Sequence, residues 1–491
     1  MLSSFKVLLT VPEQHRVEKT YVWAERGLVN STDAWGLAMQ GDSDEIGLHN
    51  RLVDDYLMFA PGLAQTMESA SLSAAPLSKC LVGQLLLMAN SSETLAAAST
   101  LLEEGDTRSL NNRERKHLDA LSRQILGDSI GASNIFAELV AETPSDVVAL
   151  RLLHFSLFNQ GRITEMVNSV RTARENWNDG LPRKSLLDGM LSFALCETGE
   201  FSSAEPMGRE AVLSNPNALW SVHAVAHVLE MQGRWEPGIH WIRESERALQ
   251  AGGSFAGHVW WHLALYFLET GRHDDVLALF DEVVYPSPSV EGLVLSNAIA
   301  LLCRLEFVGV DVAERWEGLA EGLVYRLGHH SHPFNDCHYS FALGRLSKTS
   351  ELEALLKGME LWSGFDQELH SSYVLKTCGL RVARGMGALG SGDSNLACSE
   401  LTEAADSWWR LGGSAAQRDL FSQALLRAQI NCGMDQSNGH AMLRVAARPR
   451  SPQARIWQAL ANEATGGNGS SAQREAVALG WRSETDVKSL R

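Results

Sequence analysis

The sequence is poor in everything that would carry it through a membrane, staple it covalently or pull it toward polyanions. No run of apolar residues approaches the ~18 that a membrane span requires. The opening stretch MLSSFKVLLTVPEQHRVEKTY has an apolar run broken by Pro12 and followed by charge, a poor match to a secretory leader. Seven cysteines, Cys80, Cys196, Cys303, Cys337, Cys378, Cys398 and Cys432, are scattered singly with no CxxC spacing. That pattern argues against a disulfide framework or a zinc-finger site, and the expected compartment is a reducing one, the cytoplasm. With 59 acidic against 42 basic residues the net charge is −17, so neither nucleic acid nor an anionic bilayer is an expected partner. Phosphate-loop, dinucleotide-binding and serine-elbow motifs are missing from any suitable context. The HExxH of zinc proteases is missing too, because Ala224 follows His223.

Proline is also sparse, 13 in 491 residues, which leaves room for long helices. Hydrophobic residues make up 45% of the chain, enough for a sizeable core. Glycines recur in one setting, apolar helix before and amphipathic helix after: Gly127, Gly161, Gly199, Gly233 and Gly271, separated by 34, 38, 34 and 38 residues. This is the period of two short antiparallel helices. Pro144 and Pro216 each follow their glycine by 17 residues, where the second helix should stop. The marks resemble those of the tetratricopeptide repeat. The fold class expected is therefore all-α, a tetratricopeptide-repeat-like superhelical solenoid of antiparallel helix pairs. Its expected divisions are an N-terminal helical region (1–120), regular repeats (121–285), a helix and histidine-rich loop (286–345), C-terminal helix pairs (346–465) and a loosely attached tail (466–491).

Candidate chemistry concentrates in three places. In the repeat ending at Gly233, His223, His227 and Glu230 lie on one helical stripe. In the next, His258, His262, Tyr266 and Glu269 do the same. If adjacent first helices lie side by side, the stripes meet as four imidazoles with carboxylates. Such a group could be an acid–base site, a divalent-metal site or a polar seam satisfied between repeats. The second place is LGHHSHPFNDCHYSFAL, a loop entering a helix, with His329, His330, His332, Asn335, Asp336 and His338. Asn335 or Asp336 is the expected N-cap, and Asp336 could orient His338 as an acid–base pair. Cys337 reads better as a buried thiol than as a nucleophile. The third is RLGGSAAQRDLFSQALL, where paired glycines and Ser414 open a helix whose N-terminus could meet an anion, with Gln417, Arg418 and Asp419 adding polar reach. An ordinary capped helix start explains the same residues. Fourteen tryptophans are expected to fill gaps between helices, with a few, such as Trp261, free to line a pocket.

The order WSVHAVAHVLEMQGRWEPGIHWI, HVWWHLALYFLETGRHDDVLALFDE, HPFNDCHYSFAL and LGGSAAQRDLFSQALL resembles the tetratricopeptide repeat protein 38 family, in its bacterial branch, over about residues 140 to 435. The resemblance implies a tetratricopeptide-like fold and groups the three polar features as one set, without an established reaction. The reading that follows is a small-molecule site in the concave groove, with His223, His227, His258, His262, Asp336 and His338 in the catalytic role. Glu230, Trp261, Tyr266, Asn335, Gln417 and Arg418 would contact substrate. The four paired histidines would alternatively hold a divalent metal that activates water. Hydrolysis or elimination suits such groups. The competing reading is a non-catalytic adaptor binding a peptide or protein in an open groove. Either is compatible with a homo-oligomer.

Overall fold

The computed structural model describes residues 30–103, 110–177, 181–328, 330–365, 369–434, 437, 440–442, 444 and 451–464. His329 and the tail from 466 lie outside the described residues. A short hairpin, β1 (Asn30–Thr32) and β2 (Ala38–Gln40), pairs antiparallel with Ser31 opposite Met39. Helices Ser43–Met58, Leu63–Ser71, Pro76–Ala89 and Ser92–Glu103 follow. From there the chain is built of helix pairs. We label the first helix of each pair α1 (Asn112–Ile125), α2 (Val147–Asn159), α3 (Lys184–Glu197), α4 (Leu219–Met231), α5 (Phe255–Glu269), α6 (Gly292–Phe307), α7 (Pro333–Arg345), α8 (Leu380–Gly390) and α9 (Ala415–Asn431).

Each of these helices ends the same way. A residue with positive φ follows, its N–H bonding the carbonyl three residues back, and the next N–H bonds the carbonyl five residues back. This Schellman turn satisfies carbonyls that the helix end would otherwise orphan. The five glycines of the sequence pattern occupy it after α1 to α5, and Gly309, Gly392 and Gly433 continue it after α6, α8 and α9. After α7 the position is taken by Ser347, at φ 55°. Helices Ser129–Glu142 and Phe201–Ser214 stop just before Pro144 and Pro216. Helix pairing and its turn thus continue well past residue 285.

The pairs form two layers. The central first helices sit inside and are buried on almost every side, and every residue of α4 from Leu219 to Glu230 is buried; α1 is the amphipathic exception, burying one stripe of Glu114, His117, Leu118 and Leu121. Second helices bury one stripe; in Trp235–Glu244 it is Trp235, Gly238, Ile239 and Ile242. Close approach is arranged by small residues, since a methyl group added at Gly238 would lie 2.5 Å from the Tyr266 ring. Two large hydrophobic cores meet at α4. Trp220, Ala224 and Val228 face the N-terminal core, and Leu219, Val222 and Ala226 face the C-terminal one. His223, His227 and Glu230 occupy the third face, at the seam.

The inner side of the solenoid is not left open. The N-terminal end of α9 reaches across it, where Arg304 on α6 donates to the Ala416 carbonyl at 2.9 Å and the Ala415 N–H donates to Glu197 on α3 at 3.2 Å. Arg326 closes the ring elsewhere by donating to the carbonyls of Ala89 and Asn90 at 2.7 and 2.5 Å, some 237 and 236 residues away in sequence. No helix among the described residues is long and apolar enough to cross a membrane.

Candidate functional site

The two histidine stripes come together. One nitrogen of each of His223, His227, His258 and His262 lies within 4.8 Å of one nitrogen of every other. The rings of His223 and His227 are 4.4 Å apart between centroids, those of His227 and His262 4.3 Å, and those of His223 and His258 5.0 Å. The cause is local: a four-residue spacing puts each pair on one helix face, and the solenoid sets α4 beside α5.

Each ring has a defined outer environment. His262 Nδ1 is 2.9 Å from Glu230 Oε2, and His258 Nδ1 is 3.2 Å from Asn297 Oδ1 on α6. Nε2 of His223 and Nε2 of His227 are 3.0 Å apart. His227 Nδ1 points toward Glu197 Oε1 at 3.9 Å. All four histidines are buried, and burial, reinforced by neighbouring imidazoles and by Arg304, holds them neutral. His258 and His262 are pushed down to about 3, His223 and His227 well below their ordinary value. At neutral pH these are lone-pair donors, so the general-acid half of the acid–base expectation has no protonated imidazole to carry it.

Glu197 was not singled out in the sequence. Burial pushes its carboxyl up to about 7, against the opposing pull of Arg418 and the Ala415 N–H. It sits at the N-terminus of α9, so the anion that the GGS stretch could have met is the protein's own carboxylate. Ser414 caps α9 in a reciprocal box with Gln417. Arg418 faces Glu197 at 3.7 Å and donates to the Gly412 and Gly413 carbonyls, which removes it from direct ligand contact.

A cavity of about 460 Å³ opens against this cluster. His223, His227 and His258 line it, with Phe193, Trp220 and Phe255 beside them; Asn335, His332 and Phe334 come from the HPFND stretch, and Gly413, Ser414 and Gln417 from the GGS stretch. His370 and Arg410 add to a polar lining that also holds amides and hydroxyls such as Gln84, Gln160 and Ser296, and the exposed Leu126 and Leu293 stand at its rim. All three stretches marked in the sequence therefore meet at one space.

Several expected roles change. Asp336 pairs with His330 at 3.2 Å, not with His338, because residues two apart on a helix point in different directions. His338 Nδ1 donates instead to the Phe334 carbonyl at 2.8 Å, and neither Asp336 nor His338 lines the cavity. Pro333 starts α7 at its first position, so Asn335 and Asp336 fall inside the first turn and cap nothing. Trp261 is fully buried and stacks on His258 at 5.4 Å, and Tyr266 donates to the Ala226 carbonyl at 2.5 Å; both are core residues behind the cluster. Glu230 orients His262 and does not line the space. Cys337 is buried with its thiol pushed well above its usual value, which leaves no thiolate.

Besides Glu197, sequence reasoning passed over Phe193 and Asn297. Asn297 had a signal, a polar amide in an otherwise apolar helix. Phe193 had none, since an aromatic at helical spacing looks like core until a cavity lies beside it.

No family model matches the chain. Solved structures similar to it include a human IFIT1 dimer with PPP-AAAA, at 13% identity over 92% of this chain and 96% of that one with a TM-score of 0.37. A monomeric IFIT1 mutant with Gppp-AAAA aligns at 13% identity over 91% and 96%, TM-score 0.36. Naa15/Naa10 bound to HypK aligns at 13% identity over 91% and 70%, TM-score 0.24. These are loose likenesses in overall helical form. Apart from its short hairpin, the described chain is a helical, tetratricopeptide-like solenoid.

Proposed function

We propose that this chain binds and transforms a small molecule in the cavity beside the four histidines, as a bacterial member of the tetratricopeptide repeat protein 38 family. The observation that carries the reading is the convergence of the HAVAH and HVWWH pairs, the HPFND stretch and the GGS stretch on one space of about 460 Å³. That volume suits a small ligand, and the wall is mostly apolar by area, with aromatic rings set among many amides and hydroxyls. Phe193, Trp220, Phe255 and Phe334 would hold an apolar or aromatic body, while Asn335, Gln417 and Arg410 would fix polar or anionic substituents.

The chemistry would come from the histidine wall. A neutral imidazole backed by a carboxylate, as His262 is by Glu230 at 2.9 Å, is suited to accept a proton or to bind a metal. Hydrolysis or elimination are the reaction classes that need such a group and no electron carrier. An adaptor role would use an open groove for an extended peptide. The N-terminal end of α9 occupies that ground here, which favours the small-molecule reading.

Native mass spectrometry of the chain purified under mild conditions, followed by extraction and identification of the retained compound, tests the proposal. We expect a small molecule to be retained by the wild type and lost from Ser156→Trp, whose indole would fill the cavity from α2 while the helical circular dichroism is kept. Retention by Ser156→Trp equal to wild type would place the ligand elsewhere.

A further inference from the structure

We infer that His223, His227, His258 and His262 together hold one divalent transition-metal ion, zinc or a metal of similar preference for imidazole, on the wall of the cavity. The inference deepens the small-molecule reading and rests on it only for the ligand that would meet the ion.

The geometry is close to that of a built site. Four nitrogens bonded to one tetrahedral zinc at about 2.0–2.1 Å stand about 3.3 Å from one another. Nε2 of His223 and Nε2 of His227 are already 3.0 Å apart, and the widest pair in the group is bounded at 4.8 Å. Closing onto an ion therefore asks for a movement of about 1.5 Å at most, within the reach of imidazole rotation.

Ring orientation supplies an independent argument. Metal-binding histidines give their other ring nitrogen to a carboxylate, an amide or a carbonyl, which sets the tautomer and aims the lone pair. His262 does this with Glu230 and His258 with Asn297, leaving Nε2 of each as the acceptor. Nε2 of His262 is buried and has no hydrogen-bond partner among the described residues. A purely structural polar seam would be expected to satisfy that atom; a metal ion does.

The donor set narrows the occupant. Four neutral nitrogens favour zinc, copper, nickel, cobalt or iron over magnesium and calcium, which require oxygen. His223, His227 and His258 reach the cavity while His262 anchors from the core side. An ion held there would face a bound ligand directly. Glu230 and Asn297 are positioning residues in this arrangement.

The test uses the full chain, stripped with a chelator and dialysed against buffer. Titration with Co²⁺, read by visible absorption, is expected to develop the bands of a four-coordinate nitrogen site and to saturate at one equivalent. Zn²⁺ added afterwards should displace it, and elemental analysis should then count one zinc per chain. His227→Ala with His262→Ala should abolish binding, and Glu230→Gln should weaken it by about 10- to 100-fold through the loss of ring orientation. A wild-type chain that develops no such bands and retains well under one equivalent of zinc would overturn the inference, whatever the variants do. Full retention of zinc by a folded double variant would also overturn it. A chain that takes up neither Co²⁺ nor Zn²⁺ in this titration but still retains its cavity compound, lost from Ser156→Trp, would overturn the metal while leaving the small-molecule reading in place.

Discussion

His49 and His338 are buried imidazoles away from the four-histidine cluster, and they tie stability to pH. Burial, with Arg113 and His117 adding to it, pushes His49 down to about 3; burial likewise pushes His338 down to about 4 against the Phe334 carbonyl. Both native values lie below the ordinary 6.5, so the unfolded chain binds protons that the folded chain refuses, and stability rises with pH across that window. Loss begins as pH falls below 6.5 and levels off for each group as its own native value is passed, near 4 for His338 and near 3 for His49. Each contributes a slope of about 1.4 kcal/mol per pH unit within its window. Urea unfolding midpoints measured between pH 4 and 8 should fall steadily on the acid side. His338→Gln should reduce the slope, and an unchanged slope would show that this imidazole is protonated in the folded chain.

The recurring element is the helix that ends in a left-handed residue. At the ends of α1 to α9 the residue is in eight cases glycine, which adopts positive φ without a steric penalty; at α7 it is Ser347, exposed and at φ 55°. A side chain in that conformation costs about 1–2 kcal/mol, part of which glycine gives back through its freer unfolded state. Ser347→Gly is therefore expected to stabilise the chain by about 1 kcal/mol, seen as a higher urea midpoint at unchanged slope. A drop in the midpoint would mean that the hydroxyl does something the turn geometry does not reveal. The same element explains how legible the fold was. Glycine spacing and helical apolar periodicity are local, and they located the pairs from residue 127 to 271. The α7 turn went unmarked because serine carries no such signal, and the α7 start was misread because asparagine and aspartate suggested a cap where Pro333 already began the helix.

For the whole molecule the deciding feature is how α9 is seated across the inner face. Gly412 and Gly413 both have positive φ, and a methyl group on them would lie 2.5 Å from the Asn159 carbonyl oxygen and 2.7 Å from the Phe334 ring. They let the chain pass between α2 and α7 and bring Ala415 onto Glu197. Gly413→Ala combines backbone strain with a clash against an aromatic wall of the cavity. It should cost about 2 kcal/mol or more and lose the retained cavity compound. Differential scanning calorimetry with native mass spectrometry would check both effects. An alanine variant as stable as wild type, with the compound still bound, would mean that α9 is not held in place by this glycine.

The sequence by itself determined what depends on near neighbours along the chain. It set the helical class, the pairing period, and the placement of His223 with His227 and His258 with His262 on single helix faces. It could not decide contacts made across large separations. That Asp336 faces His330, that Trp261 and Tyr266 are core, and that Glu197 fills the α9 N-terminus all depend on how helices far apart in sequence rotate and pack. The four histidines belong to both accounts. Helical periodicity made each pair, and only the burial of α4 between two cores, beside α5, turned two pairs into one cluster facing one cavity.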